Sequence, residues 1–397
     1  MHSNKHRLQY STGALATLAL AAGLAMPAAA QTAAKAAAPA ATPAAASAGP
    51  ILIGTSLPLS GAHAGTGKEV LAITQSYLQQ VNSQGGVGGR QLQLVALDDA
   101  YQAAQAEQNA RSLVDQGAVA LLNCLGTSSC NAMLPAIQAG QLPLVGALAG
   151  SGQLRESSGR YVFNLRASTE NEVSAMVQQM QSVGQNRIAL VYQRDSFGSS
   201  GLELARSALR GAQLKPAGEL ALEADGSNAQ EVAKSLGGLE GLQGVILLAS
   251  ASATTALITQ SRKDQLSVQF YNLAAQATES LVKGLGEYTG GVVFATLVPS
   301  PRRTAIAAVK SYQQLLSTPG APAPSYMGME AYLNVHTLVE GLRKTSGKVS
   351  RATLISSLDG LDEMHYGPMR VRFAKGRHSG SGYVGLAMLN KQGNFIE

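Results

Sequence analysis

The stretch that decides the fold is residues 51–101, ILIGTSLPLSGAHAGTGKEVLAITQSYLQQVNSQGGVGGRQLQLVALDDAY. Its first nine residues form an apolar run that predicts a strand ending at Ser60-Gly61. Apolar residues at helical spacing follow, and a glycine-rich turn at 85–89 leads into a second strand that ends at Asp98-Asp99. Open α/β sheets bind ligands in loops that leave the carboxyl end of a strand and open a helix. The segment therefore predicts a ligand site of that kind.

The same alternation of strand and helix patterns continues along the chain. We expect strands at 119–122, 142–146, 187–193, 244–249, 268–272 and 291–298, and helices at 172–183, 202–211 and 229–236. This order predicts parallel sheets covered by helices. Beyond residue 325 the pattern changes to two helices, at 326–343 and 351–358, and then to an expected antiparallel pair of strands, 369–373 with 383–390.

The amino-terminal residues predict export. A positive start with Lys5 and Arg7, an apolar core at 8–25 and the small residues Ala28-Ala29-Ala30 are typical of a cleavable signal peptide over 1–30. No cysteine lies near the cleavage point, which disfavours a lipid anchor there. Residues 31–49 are an Ala/Pro-rich stretch that predicts a disordered linker. A helical arm is the alternative, although Pro39 and Pro43 would interrupt it.

Composition narrows the function classes. The formal net charge of the precursor is +6, but its Lys and Arg residues form no stripe interleaved with aromatics, so nucleic-acid binding is disfavoured. Cys124 and Cys130 stand six residues apart, and an oxidising compartment permits a disulfide between them, although spacing alone leaves both the bridge and the free thiols open. The histidines are scattered without metal-ligand spacing, and the sequence predicts no cofactor or metal.

Several motifs together carry a family resemblance. They are Leu59-Ser60-Gly61, the turn at 81–89, Leu97-Asp98-Asp99-Ala100, Gly126-Thr127-Ser128-Ser129, the segment Tyr192–Gly198 and Val298-Pro299. In this order they resemble the leucine/isoleucine/valine-type periplasmic solute-binding proteins, and the resemblance covers nearly the whole chain after the linker. It implies an α/β protein of two doubly wound parallel-sheet lobes joined by three hinge crossovers, near residues 166, 298 and 365. Lobe 1 would comprise 50–166 plus 299–365, and lobe 2 would comprise 167–298 plus 366–397.

The resemblance also implies a function and partners. A monomeric periplasmic protein would close its cleft on a small-molecule ligand and deliver it to an inner-membrane ABC permease. A sensory protein of the same fold, which signals to a membrane receptor, is the first alternative. A secreted hydrolase is the second, although the chain lacks a Gly-x-Ser-x-Gly elbow. Residues 61–69 fail as a phosphate loop because Ala62 and Glu69 stand where Gly and Ser/Thr are required. We therefore expect the protein to have no enzymatic activity.

The expected ligand contacts in lobe 1 come from three loops. Thr127 and Ser128 precede an expected helix at 131–139, where free N–H groups favour a carboxylate, and the alternative is that they only cap that helix. The small residues of the following loop allow close backbone approach. The first-lobe set is Ser60, His63, Thr66, Thr127, Ser128, Ala149, Gly150 and Ser151.

In lobe 2 the expected contacts are Tyr192, Phe197, Ser252 and Ala274, where an aromatic either covers the ligand or fills the lobe surface. By the resemblance, Ala274 stands where amino-acid binders place the acid that holds the ligand ammonium. Either Glu279 or Asp195 supplies that charge, or the ligand lacks an ammonium group, because burying an unpaired ammonium costs several kcal/mol. We therefore expect a carboxylate- or amide-bearing small metabolite, with aromatic ligands among the candidates.

Overall fold

Two large sheets, one parallel and one mainly parallel, organise the chain in the computed structural model, which describes residues 49–156, 160–317 and 320–397. The expected signal peptide and all of the expected linker except Gly49 lie outside the described residues. The strands are β1 Ile51–Leu57, β2 Leu92–Asp98, β3 Ala120–Leu125, β4 Leu144–Leu148, β5 Val162–Phe163, β6 Ile188–Gln193, β7 Gly218–Leu222, β8 Gly244–Leu248, β9 Gln269–Asn272, β10 Val292–Thr296, β11 Met364–Tyr366, β12 Met369–Val371, β13 Gly385–Leu389 and β14 Phe395–Ile396.

The helices lie between these strands. They are α1 Ala64–Ser83, α2 Ala103–Asp115, α3 Thr127–Ala132, α4 Leu134–Gly140, α5 Thr169–Ser182, α6 Ser196–Gly211, α7 Ala229–Gly237, α8 Ala251–Lys263, α9 Glu279–Leu285, α10 Ala307–Leu315, α11 Tyr326–Arg343 and α12 Arg351–Asp359. None of the helices in the described part of the chain has the length and apolarity that a membrane span requires.

The first sheet has the order β2-β1-β3-β4-β5, and all its neighbours are parallel. Strands β1, β3, β4 and β5 are buried on both faces, as in doubly wound folds, and their successive side chains alternate between the two cores. Leu122 packs with α1 and α11 on one face, whereas Leu121 packs with α2, α3 and α4 on the other.

The second sheet has the order β14-β13-β10-β9-β8-β6-β7. Strands β6 to β10 pair in parallel, and β13 and β14 extend the sheet in antiparallel fashion beyond β10. Helices α5 and α6 cover one face, and α7, α8 and α9 cover the other. The expectation of two parallel-sheet lobes is confirmed.

The carboxyl-terminal strands differ from the expectation. The predicted pairing of 369–373 with 383–390 is wrong, because β12 pairs with β11 across a tight turn in which Gly367 has a φ of +65°. Strand β13 instead pairs with β10 in the second sheet. The β11–β12 hairpin packs with the first core through Met369 and Val371, together with helices α10, α11 and α12. The chain therefore changes sheets three times within the described residues, after β5, after β10 and after the hairpin.

Candidate functional site

The first loop of the candidate site leads from β1 to α1. The N–H groups of Leu59 and Ser60 donate to Asp98 Oδ1 at 2.8 and 3.3 Å, which ties this loop to the end of the neighbouring strand β2. Ser60 and His63 are exposed, and Thr66 is half-buried in the first turn of α1. Three expected contacts thus lie together at the carboxyl edge of the first sheet.

The second loop follows β2 and carries an unusual backbone. Ala100 and Tyr101 both adopt left-handed conformations, with φ of +48° and +63°. Each such residue costs about 1–2 kcal/mol when it bears a Cβ. The turn is held by hydrogen bonds from the N–H of Ala100 to Asp98 and from the N–H of Tyr101 to Asp99, at 2.8 and 2.9 Å. Strain of this kind concentrates at functional sites, where the surroundings enforce it.

The pKa values of the two adjacent carboxylates of this loop are shifted in opposite directions. Hydrogen bonds from Ser60 and from the backbone of Ala100 and Leu59 lower the pKa of Asp98 to about 2. Burial raises the pKa of Asp99, although hydrogen bonds from Tyr101 and Ser56 oppose that effect. These contacts give Asp98 and Asp99 a role in holding the turn.

The third loop joins β3 to α3 and is bracketed by a disulfide between Cys124 and Cys130. The expected helix at 131–139 is wrong in extent, because α3 already begins at Thr127 and α4 follows it from Leu134. Thr127 and Ser128 therefore lie in the first helical turn rather than before it. Ser129 is 1% exposed, and its hydroxyl has no hydrogen-bond partner.

Tyr101 links the second and third loops. A Cβ on Gly126 would lie only 2.5 Å from the Cε2 atom of this tyrosine, so the ring packs directly on the glycine backbone. On the other loop, His63 stacks on Tyr101 with ring centroids 3.8 Å apart. Although His63 is exposed as a whole residue, partial burial of its ring lowers its pKa, which favours the neutral imidazole. His63, Tyr101 and the start of α3 thus form one continuous surface.

The fourth loop, after β4, contacts the other lobe directly. The N–H of Thr169, the first residue of α5, donates to the Gly150 carbonyl at 3.2 Å, and Gly150 has no room for a side chain there. Ala149 is buried and Ser151 is half-buried.

The guanidinium of Arg155 fastens this loop to the first crossover between the sheets. It donates to the carbonyls of Ala149 and Ser151 at 3.5 and 2.9 Å, and to those of Arg166 and Ala167 at 3.0 and 3.2 Å. Burial lowers the pKa of Arg155 to about 10, so the group stays charged at neutral pH.

The expected contacts of the second lobe lie at the carboxyl ends of β6, β8 and β9. Tyr192 and Phe197 are half-buried against the core beneath α5 and α6. The Ser252 hydroxyl bonds to the Ser250 hydroxyl at 3.1 Å and to the Ala224 carbonyl. Ala274 donates its N–H to Glu172 Oε2 at 2.7 Å. These contacts lie within the second lobe, and none of them joins this group to the first-lobe residues.

A buried charge network lies beneath the first crossover. Arg166 Nε lies 3.4 Å from Glu330 Oε1 of α11, and both side chains are under 10% exposed. Burial raises the pKa of Glu172 and of Glu330, and the positive charge of Arg166 offsets part of that rise in both. The Arg166 guanidinium therefore compensates the charge of one carboxylate from each lobe, Glu330 and Glu172.

Sequence reasoning missed Tyr101, Arg155 and Glu172. Tyr101 directly follows a strand that was expected to end at the site, so its position was the available signal. Two consecutive left-handed residues that are neither Gly, Asn nor Asp leave no mark in the sequence. The roles of Arg155 and Glu172 depend on contacts between distant segments.

Comparison with known proteins identifies the family. The family model described as "Periplasmic binding protein" matches residues 50–394. The chain belongs to this periplasmic binding protein family. The expected family resemblance and fold are thereby confirmed.

Solved structures agree on the fold of this binding protein. A substrate-binding periplasmic protein from Ralstonia solanacearum is 25% identical, with a TM-score of 0.77, and the match covers 87% of this chain and 99% of that one. An extracellular ligand-binding receptor from Verminephrobacter eiseniae is 23% identical, with a TM-score of 0.80 and coverages of 88% and 100%. A branched chain amino acid ABC transporter protein from Thermus thermophilus, with bound valine, is 17% identical, with a TM-score of 0.78 and coverages of 88% and 96%. No match was found among curated protein sequences.

Proposed function

We propose that this binding protein captures a small carboxylate-bearing or amino-acid-like solute between its lobes and hands it to an ABC importer of the inner membrane. The contact between the loop after β4 and the second lobe carries the proposal. Gly150 follows β4 of the first sheet, and its carbonyl accepts the N–H of Thr169, the first residue of α5, at 3.2 Å. A loop that leaves the carboxyl end of a parallel strand and meets a second lobe in this way is a typical ligand site.

Hinge closure would move the lobes about the three places where the chain changes sheets. We place the first two crossovers near residues 166 and 298. We expected the third near residue 365 and now propose it at 374–384; the packing of the β11–β12 hairpin with the first core supports this choice. Lobe 1 would then comprise about 50–166 plus 299–373. A solute that binds the closed state more tightly shifts the population toward it, and a permease that recognises that state couples binding to delivery.

The proposed solute contacts remain those expected from the sequence, with Tyr101 added. Thr127 and Ser128 supply hydroxyls at the start of α3, beside the buried and unpartnered hydroxyl of Ser129. On the second lobe, Glu172 already accepts the N–H of Ala274 and is compensated by Arg166. A ligand without an ammonium group suits that arrangement.

Periplasmic residence follows from the family, and we propose that residues 1–30 direct export as a cleavable signal peptide. The proposed importer partner is supported by the Thermus thermophilus relative and by a fatty acid ABC transporter substrate-binding protein from Thermomonospora curvata, which has the same fold. Non-enzymatic capture agrees with the solute-binding character of the family.

A thermal-shift screen over amino acids, aromatic acids and dicarboxylates tests the proposal. A solute at one hundred times its dissociation constant should stabilise the protein by about 2.7 kcal/mol. Thr127→Val should weaken binding of that solute. Thr255→Val should not, because the Thr255 hydroxyl donates to the Ala251 carbonyl within its own helix. A screen without a hit, or a hit that both variants bind equally well, would contradict the proposed site.

A further inference from the structure

The exposed ring of Tyr101 is the feature of the site that carries a further inference. Tyr101 is one of the few large apolar side chains on the described surface, with 38% of its area exposed. Its backbone and that of Ala100 are held in the left-handed region by the carboxylates of Asp98 and Asp99. A strained turn thus places this ring at the carboxyl edge of the first sheet.

The ring is fixed from two sides. His63 stacks on it at an interplanar angle of 26°, and Gly126 leaves space for it by lacking a Cβ. Asp98 also holds the loop that carries His63, through the N–H groups of Leu59 and Ser60. Asp98 therefore holds the loops of both rings before any solute arrives, which reduces the ordering cost of binding.

The ring pair lies at the carboxyl edge of the first sheet, as does the Gly150 loop that contacts α5 of the second lobe. Burial, the charge of Asp99 and the charge of Asp195 all raise the pKa of the Tyr101 hydroxyl, so it is neutral and available as a donor. Asp195 caps α6 by accepting the N–H of Gly198 at 2.9 Å, which fixes its place on the opposite lobe. Closure of the lobes would bury the exposed part of the ring pair against whatever occupies the cleft.

We propose that His63 and Tyr101 form an aromatic wall of the solute site and that the solute is a carboxylate bearing a planar aromatic ring. The proposal rests on the proposed function and deepens it. Aromatic rings prefer offset-stacked or edge-to-face partners, and such pairs gain stability beyond the burial of their area. A saturated ring of the same size lacks that gain, so the wall should discriminate between the two.

Calorimetric titration with two matched solutes, phenylacetate and cyclohexylacetate, tests the wall. We expect the wild-type protein to prefer phenylacetate by about threefold to tenfold. Tyr101→Ala should reduce the ratio of the two affinities to about one, and Tyr101→Phe should preserve it. Tyr288→Ala is the control, because this tyrosine lies between α9 and β10, away from the first sheet.

The outcomes separate the wall from the proposed function. Suppose that both solutes bind, that Thr127→Val lowers both affinities, and that Tyr101→Ala leaves the ratio of the two affinities unchanged. The proposed solute site would then be retained, and the proposed aromatic wall would be wrong. A wild-type protein that favours cyclohexylacetate, or that binds only aliphatic solutes in the thermal-shift screen, also overturns the wall. A protein that binds no solute in either experiment contradicts both proposals.

Discussion

At the scale of single residues, the second loop shows how two identical side chains, Asp98 and Asp99, have different structural roles. Asp98 is exposed and collects backbone donors from two loops, whereas Asp99 is buried under the turn. Together they hold a backbone that Ala and Tyr would not adopt alone. The presentation of Tyr101 thus depends on a pair of carboxylates, neither of which needs to contact a solute.

Gly126→Ala should disturb this presentation. The substitution places a Cβ 2.5 Å from the Tyr101 ring at a φ of +88°, so we expect both backbone strain and displacement of the ring. Gly117→Ala is the matched control, because Gly117 has a φ of +79° with open space around it and should pay only the strain of about 1–2 kcal/mol. Thermal denaturation and calorimetric titration should show a larger loss of stability, and weaker solute binding, for Gly126→Ala alone. Equal losses in the two variants would show that Tyr101 is not displaced.

His336 should make stability depend on pH. Its ring packs among Tyr77, Tyr332 and Tyr366, and Tyr366 is its hydrogen-bond partner at 3.1 Å. Burial lowers the pKa of His336, Glu340 opposes that effect, and Arg343 adds to it. Since the folded state disfavours the proton, the stability contribution is full above the unfolded pKa of about 6.5 and is lost as the pH falls below it.

The comparison of wild type with His336→Asn measures this contribution. We expect the melting temperature of the wild type to fall more steeply between pH 7.5 and 5 than that of the variant. His63, whose pKa burial also lowers, contributes equally to both proteins and cancels from the difference. Parallel curves would show that His336 binds its proton equally in the folded and unfolded states.

At the scale of elements, periodicity predicted the strands that are buried on both faces and the long helices, and α11 begins and ends where expected. Prediction failed where tertiary contacts decide. Strand β5 has only two residues, too few for a pattern, and the hairpin depends on a left-handed Gly367. Strand β3 continues through Asn123, which looks like the end of an apolar run but is buried, where its amide bonds Thr74 and Asn334.

The disulfide between β3 and α3 should stabilise the third loop. Both sulfur-bearing residues are fully buried, and the bridge closes the short segment that contains Thr127 and Ser128. We expect the double variant Cys124→Ala/Cys130→Ala to lose about 2 kcal/mol of unfolding free energy. It should also bind solute more weakly, because the loop must be ordered on binding. Chemical denaturation and calorimetric titration measure the two effects, and an unchanged affinity would limit the bridge to a role in stability.

At the scale of the whole molecule, the sequence resemblance predicted the two lobes but not the buried charges beneath the first crossover. The buried pair of Arg166 and Glu330 belongs to segments far apart in the chain, and only the fold brings them together. Arg166 also compensates Glu172 of α5. One guanidinium thus lies between carboxylates of two lobes that are proposed to move.

Removal of one partner of this pair should cost more than removal of both. Arg166→Met leaves two buried carboxylates with a reduced positive charge, and a loss of about 3–5 kcal/mol is typical of such a change. The double variant Arg166→Met/Glu330→Leu restores the charge balance and should recover part of the loss. A double-mutant cycle from chemical denaturation gives the coupling. Strictly additive losses would mean that the two charges do not interact.

Arg155 has a mechanical consequence for this protein. The Arg155 guanidinium donates to carbonyls of the loop that contains Ala149 and to carbonyls of the crossover at Arg166. Movement of one segment is therefore coupled to movement of the other. Rotation of the second lobe would then also move the loop beside the cleft. The rate of solute release would accordingly depend on Arg155 at the hinge as well as on the residues that contact the solute.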